Sequence, residues 1–157
     1  MLLILEGPDG AGKSRLARRL QRQTGYAIKH FVKPKTDEEK AGMYLAYDSL
    51  VSTGQSMIVD RCWYSEMVYG QVMRNQTFID VKQMHYLETR IAESGGGMII
   101  HCTDNPTELW ERATARGEDL VTDFKTLKSI ALEYELLMHR TKHNIPVVRY
   151  ELSKKVL

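Results

Sequence analysis

Gly7-Pro8-Asp9-Gly10-Ala11-Gly12-Lys13-Ser14 sets three glycines, a lysine and a hydroxyl at the spacing G-x-x-x-x-G-K-[ST], directly behind the apolar run Leu2 to Leu5. Glycines let consecutive backbone amides turn inward around phosphate oxygens, and the positive end of a following helix adds to the pull. Lys13 can then reach the β and γ oxygens of a triphosphate while the Ser14 hydroxyl meets Mg²⁺. Gly7, Asp9, Gly10, Ala11, Gly12, Lys13, Ser14 and Arg15 are the candidate triphosphate-binding residues. A plain glycine turn with an exposed lysine is the competing reading, and the apolar strand before the motif weighs against it.

A second chemical group is Asp60-Arg61, which follows the run Met57 to Val59. A carboxylate at a strand end can organise Mg²⁺ or an acceptor oxygen, and arginine offers a planar fork to phosphate. Arg112 and Arg116 stand four apart just before Gly117-Glu118-Asp119. Such a pair is ordinarily a solvated helix face, but in phosphoryl transfer an arginine-bearing mobile segment stabilises spreading charge and excludes water. Other residues carry less. His139 and His143 have the spacing of a helical metal pair without a third ligand nearby in sequence, so they read as a solvated face. Cys62 has no partnered histidine, Trp63 and Trp110 read as packing residues, and Lys33-Pro34-Lys35 is too small a basic cluster for a polynucleotide.

Positioning these groups requires a framework of alternating elements. Leu2 to Leu5, Tyr26 to Phe31, Met57 to Val59, Met98 to Cys102 and Ile145 to Tyr150 are the strand candidates. Helical patterns separate them: Lys13 to Gln23, Asp37 to about Leu50 with Asp37 as cap, Tyr64 to Arg74, and Asp80 to Gly95 with Asp80 as cap. Two more follow, one opened by Asn105-Pro106 and one from about Asp123 to His143. Strictly alternating strands and helices imply parallel strands joined by crossovers, hence an α/β sheet covered on both faces. Ligands of such sheets sit beyond the carboxyl ends of the strands, where the glycine loop and Asp60-Arg61 both fall.

The 157 residues, 43% hydrophobic and 27% charged, suit one domain with one continuous core. A formal charge of +2 is too small to hold duplex nucleic acid or a membrane surface through bulk charge, so an anionic partner must be bound locally. Two cysteines, Cys62 and Cys102, make neither a disulfide framework nor a zinc quartet, and Met1 to Gly7 lacks the pattern of a signal peptide. A reducing cytosol and a soluble protein are the expectation, with no stretch approaching a membrane span.

Three motifs together resemble the thymidylate kinase family. Glu6 to Ser14, with an acidic residue at Asp9, looks like that family's P-loop. Asp60-Arg61 with Ser65 and Tyr69 is similar to its Asp-Arg-Tyr-x-x-Ser-x-x-Ala-Tyr segment, and Pro106 to Asp119 resembles its arginine-bearing lid. The resemblance implies a single P-loop kinase domain over residues 1–157, a three-layer α/β/α sandwich with a five-stranded parallel sheet and a lid at about 112–122. It implies transfer of the γ-phosphoryl of ATP, with Mg²⁺, to a deoxynucleoside monophosphate, dTMP first. Carried over by position, Lys13 binds donor phosphates, Arg61 bridges donor and acceptor, and Arg112 and Arg116 supply catalytic charge from the lid. Ser14 and Asp60 hold the metal. Asp9 contacts the sugar 3′-hydroxyl or the metal, Ser65 and Tyr69 line the acceptor pocket, and Tyr69 disfavours ribose. Lys33 replaces a family arginine as the cation near the acceptor phosphate, and Tyr44 or Tyr47 stacks on the base unless both are core. A helix that often closes the family fold has no counterpart before Leu157, which would leave the adenine side more open, and a homodimer through the Met67, Val68 and Met84 region is permitted unless those residues are core.

Two alternatives remain. Asp60-Arg61-Cys62-Trp63-Tyr64-Ser65 is also similar to the Glu-Arg-Ser-x-Tyr-Ser segment of deoxynucleoside kinases, which would make Asp60 the general base on a nucleoside 5′-hydroxyl, with Glu118 and Asp119 imitating their acidic lid. A nucleotide-binding switch without transfer activity is the other, although no GTPase base-specifying motif is present.

Overall fold

The computed structural model describes residues 1–117, 121 and 123–154. Five parallel strands form one sheet in the order β2-β3-β1-β4-β5, with β1 (Leu2–Glu6), β2 (Ala27–His30), β3 (Met57–Asp60), β4 (Gly97–Thr103) and β5 (Val147–Glu151). The unbroken apolar run of β1 explains its central place: every residue is buried, as a strand covered on both faces requires. Leu2 is in register with Met57 on one side and Gly97 on the other, so Asp60 at the end of β3 is level with Leu5, Glu6 at the end of β1 is level with His101, and β4 runs two residues farther to Thr103. The mixed sequences of β2 and β5 sit at the two edges and are more exposed.

Among the described residues six helices connect and cover the strands: α1 (Lys13–Thr24), α2 (Asp37–Ser52), α3 (Trp63–Arg74), α4 (Val81–Glu93), α5 (Pro106–Ala115) and α6 (Phe124–Arg140). Helix α1 packs on β1, β2 and β3, while α2 pairs with α4 and α3 with α6. The step from β1 to β2 runs opposite to the step from β3 to β4, and crossovers of one hand then place their helices on opposite faces. Asp80, Asn105 and Asp123 cap their helices as their types suggest. Helix α2 departs from the reading above, because Thr36 rather than Asp37 is its cap: Thr36 accepts from the Glu39 amide while Glu39 reaches back, a reciprocal pair that Asp37 cannot form.

The core runs along the sheet through Ile4, Leu5, Ile58, Ile99, Trp63 and Tyr134, all essentially unexposed. Buried polar groups are costly unless partnered, so their location is informative. Among the described residues, Glu6, Asp9, Lys13, Asp60, His101, Thr103 and Asp104 all lie at or just beyond the carboxyl edge of β1, β3 and β4; Glu88 is the buried exception. Among the described residues no helix is long and apolar enough to cross a membrane.

Candidate active site

The glycine loop is pressed between β4 and α5. Gly7 has φ +150 and an added Cβ would stand 1.9 Å from the Cys102 carbonyl oxygen; Gly10 has φ +78 and its Cβ would stand 2.2 Å from that of Leu109. Side chains are excluded at both positions by backbone, which is why the motif needs glycine there. Gly12, in the left-handed conformation, precedes α1 without a side-chain cap, so the loop offers first-turn amides to an anion. Lys13, 7% exposed, folds its Nζ over the loop and donates to the carbonyls of Gly7 (2.8 Å) and Pro8 (2.7 Å). Burial, with Arg61 nearby, pushes its pKa down to about 8, a cost that a bound polyphosphate would reverse. Ser14 is exposed beside it on the main cleft, whereas Arg15 faces a second hollow with Arg19, Arg112 and Leu152.

Asp60 ends β3, and Arg61 then turns into the left-handed region at φ +66, its amide donating to the Leu5 carbonyl at 3.1 Å. The guanidinium donates to Asp9 Oδ1 (2.6 Å), the Gly7 carbonyl (3.1 Å), Ser65 Oγ (3.2 Å) and Tyr134 Oη (3.4 Å), and lies over the Tyr69 ring. Arginine thus ties the end of β3 to the glycine loop. Beneath it, Glu6 accepts from the Cys62 amide (2.7 Å), the Ser65 amide (3.3 Å), the Ser65 hydroxyl (2.6 Å) and the Tyr134 hydroxyl (3.0 Å). Since Cys62 precedes α3 and supplies no side-chain cap of its own, a carboxylate from another strand caps that helix. Burial pushes the Glu6 carboxyl above its ordinary range, against the hydrogen bonds that pull it down.

Loop and turn open onto one cleft of about 540 Å³. Lys33 enters it from the loop after β2 and Arg116 from the end of α5, so cationic groups approach from both sides of the sheet. Asp60 lines it with His30, whose Nδ1 is 3.4 Å from Asp60 Oδ2. Farther out, Phe31, Met43, Tyr47 and Met73 form an apolar chamber that also contains the Glu66–Arg74 ion pair at 2.5 Å. Two buried oxygens in the wall, Asp9 Oδ2 and the Tyr69 hydroxyl, have no hydrogen-bond partner among the described residues. Asp9 Oδ2, Asp60 and the Ser14 hydroxyl make an all-oxygen donor set that fits a hard divalent cation such as Mg²⁺.

The structure brings Asp9, Gly10, Gly12, Lys13, Ser14, Lys33, Tyr47, Asp60, Arg61, Ser65, Tyr69 and Arg116 to this cleft; of the other expected residues, Gly7 and Ala11 are buried within the loop, and Tyr44, Arg112 and Arg15 lie elsewhere. Tyr44 is not among the lining residues, because of the two tyrosines it is Tyr47 that turns inward, edge-on between Phe31 and Trp63. Arg112 is fixed as an anchor, donating to the Gly10 carbonyl (2.8 Å) and to Asp104 (2.7 Å), so the arginine pair does not act from one face. Arg15 points to the second hollow. Glu118, Asp119 and most of the segment after Arg116 lie outside the described residues. The solvated-face reading of His139 and His143 is corrected in part: α6 ends at Arg140 and the His143 side chain beyond it is buried against Glu88 (2.7 Å), whereas His139 is exposed on α6 but meets His101 (3.0 Å). Cys62 and Cys102 are buried free thiols pushed up by burial, unsuited to nucleophilic work. Glu6, Tyr134, His30 and Asp104 went unnoticed; the post-strand rule already pointed at Asp104, but nothing local to the chain marks Tyr134.

A P-loop facing an Asp-Arg strand end across a parallel sheet defines a P-loop phosphotransfer kinase. The chain belongs to the polyphosphate kinase 2 family, whose sequence model matches residues 1–132. The motifs first likened to thymidylate kinases are therefore those of the wider P-loop kinases, and it is the polyphosphate kinase 2 family that is shown. It is 27% identical over 140 residues to the SPbeta prophage-derived uncharacterized protein YorR of Bacillus subtilis (strain 168), covering 87% of this chain and 81% of YorR. The crystal structure of YorR in complex with phosphorylated GDP superposes with a TM-score of 0.80 at 22% identity, over 98% of this chain and 87% of that one. Deoxyadenosine kinase from M. mycoides with bound dATP gives 0.65 at 15% identity over 96% and 91%. Polyphosphate kinase 2 from Arthrobacter aurescens TC1 gives 0.77 at 21% identity over 98% of this chain and 62% of its own.

Proposed function

We propose that this protein moves a phosphoryl group from a triphosphate held by the P-loop, ATP first among donors, to a deoxynucleoside monophosphate bound in the adjoining cleft. The observation that carries the reading is Arg61: one guanidinium joins Asp9 of the donor loop to the wall of a cleft that has aromatic and apolar lining suited to a nucleobase. Lys33 and Arg116, reaching the same cleft, favour an acceptor that already carries a phosphate over a neutral nucleoside. In this mechanism the loop amides and Lys13 hold the donor phosphates, and Arg61 aligns the acceptor oxygen with the γ-phosphorus. Arg116 neutralises charge that develops on the moving group. Mg²⁺, held by Ser14, Asp60 and Asp9, would neutralise the phosphate oxygens of the bound donor. Tyr69 sits beside the sugar and disfavours ribose, and Tyr47 forms the wall of the base chamber.

A second reading, transfer to a nucleoside 5′-hydroxyl, is favoured by one observation: Asp60 lines the cleft beside His30 and is placed to take a proton. One experiment separates the two. Purified protein is given Mg²⁺ with ATP or polyphosphate and a panel of nucleosides and nucleoside monophosphates, dTMP at its head, and products are identified by mass. Diphosphates are expected, with Lys13→Ala abolishing turnover at unchanged circular dichroism. Products from nucleosides alone would establish the second reading, and donor consumption independent of any acceptor would refute both.

A further inference from the structure

His101 is an oddity of the core. It lies near the carboxyl end of β4, is wholly buried, and has one ring nitrogen, Nε2, without a partner among the described residues. It is in register with Glu6 of β1 on one side and Arg149 of β5 on the other; a buried imidazole is costly unless partnered, and the phosphotransfer site makes no use of it. Its Nδ1 faces His139 Nε2 at 3.0 Å. His139 and Glu135 are one turn apart on α6, which puts their side chains on the same stripe of the helix. Arg149 of β5 holds Glu135 Oε1 at 2.6 Å and shares its remaining charge with Glu151, which leaves Glu135 Oε2 directed to His139 Nε2 at 3.9 Å.

We propose that His101, Glu135 and His139 form a binding site for one divalent transition-metal ion of the zinc type. One ligand atom from each residue lies within 4.8 Å of the others. Bonds of about 2.0–2.1 Å in a tetrahedron separate ligand atoms by about 3.3 Å, so the observed 3.0 and 3.9 Å need only small side-chain rotations to close around an ion. Two imidazoles and one carboxylate suit Zn²⁺, Co²⁺ or Ni²⁺ and not Mg²⁺, which takes oxygens; the site is chemically distinct from the oxygen set at the P-loop. Side-chain exposure of 33% at His139 and 34% at Glu135 gives the ion an entry path and leaves the fourth position to water. The Arg149 contact to Oε1 is the kind of outer partner that orients a carboxylate ligand. His101 stacks on the ring of Tyr134, whose hydroxyl reaches Glu6 and Arg61, so the ion pins α6 to β4 next to the residue that steadies the Arg61 turn.

The test uses the full chain, free of any histidine tag, stripped with chelator and held without nucleotide. Co²⁺ is titrated for the visible absorption of tetrahedral coordination, Zn²⁺ by calorimetry for stoichiometry, and melting is followed with and without Zn²⁺. Expected are one ion per chain, a tetrahedral Co²⁺ spectrum that Mg²⁺ does not displace, and a melting temperature raised by Zn²⁺. His139→Ala should weaken binding about 10–100-fold and remove the melting shift. Glu135→Gln, at a half-exposed helix position, gives the same direction of change should His139→Ala fold poorly. His85→Ala, on another helix, and His30→Ala, in the phosphotransfer cleft, should leave the spectrum unchanged. Absence of saturable binding at one ion per chain, wild-type binding in both His139→Ala and Glu135→Gln, or loss of binding in His30→Ala each overturns the proposal.

Discussion

Truncation of Glu6 probes the framework behind the site without touching a ligand. Its carboxylate, fully buried, accepts four hydrogen bonds, from the amides of Cys62 and Ser65 and the hydroxyls of Ser65 and Tyr134. Glu6→Ala leaves the two amides and one hydroxyl buried without an acceptor, since the Ser65 and Tyr134 hydroxyls at 2.9 Å can serve one another, and at about 1 kcal/mol for each the loss is about 3 kcal/mol. That is a large share of the roughly 5–15 kcal/mol that holds a domain of this size. Glu6→Gln behaves differently. Its carbonyl keeps the two amides, its NH₂ faces two hydroxyls that can turn to accept, and the cost of burying a charge is removed, so about 1 kcal/mol is expected. Urea unfolding followed by circular dichroism measures both values, and a Glu6→Ala cost below about 1 kcal/mol would refute the four-donor account. The same pair carries a pH signature. Because burial raises the folded carboxyl above 4.5, the folded state binds a proton more tightly than the unfolded chain. The resulting stability is fully present below 4.5 and is lost as pH rises through the folded value; the Glu6→Gln difference from wild type should follow that slope.

Three further expectations follow from separate parts of the molecule. Gly10→Ala should cost about 3 kcal/mol or more, since its Cβ would meet the Leu109 carbonyl at 2.2 Å, whereas Gly25→Ala, at φ +74 with nothing within 4 Å, should cost only about 1 kcal/mol; equal losses by urea titration would deny the close packing of the loop. His143 faces acceptors with both ring nitrogens, Glu88 at 2.7 Å and the Leu137 carbonyl at 2.8 Å, which requires the doubly protonated ring. Burial alone would lower its pKa, but these bonds raise it above 6.5, so the stabilisation is present below 6.5 and declines as pH rises through the folded value; His143→Gln should flatten that decline, and parallel pH profiles would contradict it. Arg116→Ala should lower kcat about 10²–10³-fold with a smaller rise in KM for the donor, and the reverse pattern in steady-state kinetics would show that the residue only binds.

What could be read from the sequence is what the chain keeps contiguous. The P-loop announces itself because glycines, lysine and hydroxyl must follow one strand within a few residues, and Asp60-Arg61 because strand ends are where parallel sheets present chemistry. Strand β1 was legible for a similar reason, its four apolar residues in a row. Helix boundaries were legible only to within a few residues, and that margin mattered: extending α6 to His143 made a helical pair of two histidines that the fold sends to different partners, Glu88 and His101. Tyr44 and Tyr47 illustrate the same limit, since helical spacing says that one stripe is buried but not which cleft it borders.

The residues that escaped are those whose partners lie far along the chain. Glu6 meets Ser65 across 59 positions and Tyr134 across 128, and Asp104 meets Ser153 across 49. A carboxylate that caps α3 from a neighbouring strand leaves no local motif, because the cap position itself is Cys62, a poor capping residue. Its absence is itself a signal: a helix that begins at a functional turn without a side-chain cap needs an acceptor from elsewhere, and the buried acidic residue at the end of the adjacent strand is the first place to look. The same reasoning applies at α1, where Gly12 also brings no side chain, but there the acceptor that completes the helix end is, on the proposed function, the phosphate of the substrate. The two uncapped helices thus divide the labour of the site, one closed permanently by Glu6 to fix Arg61, the other completed only when the donor binds.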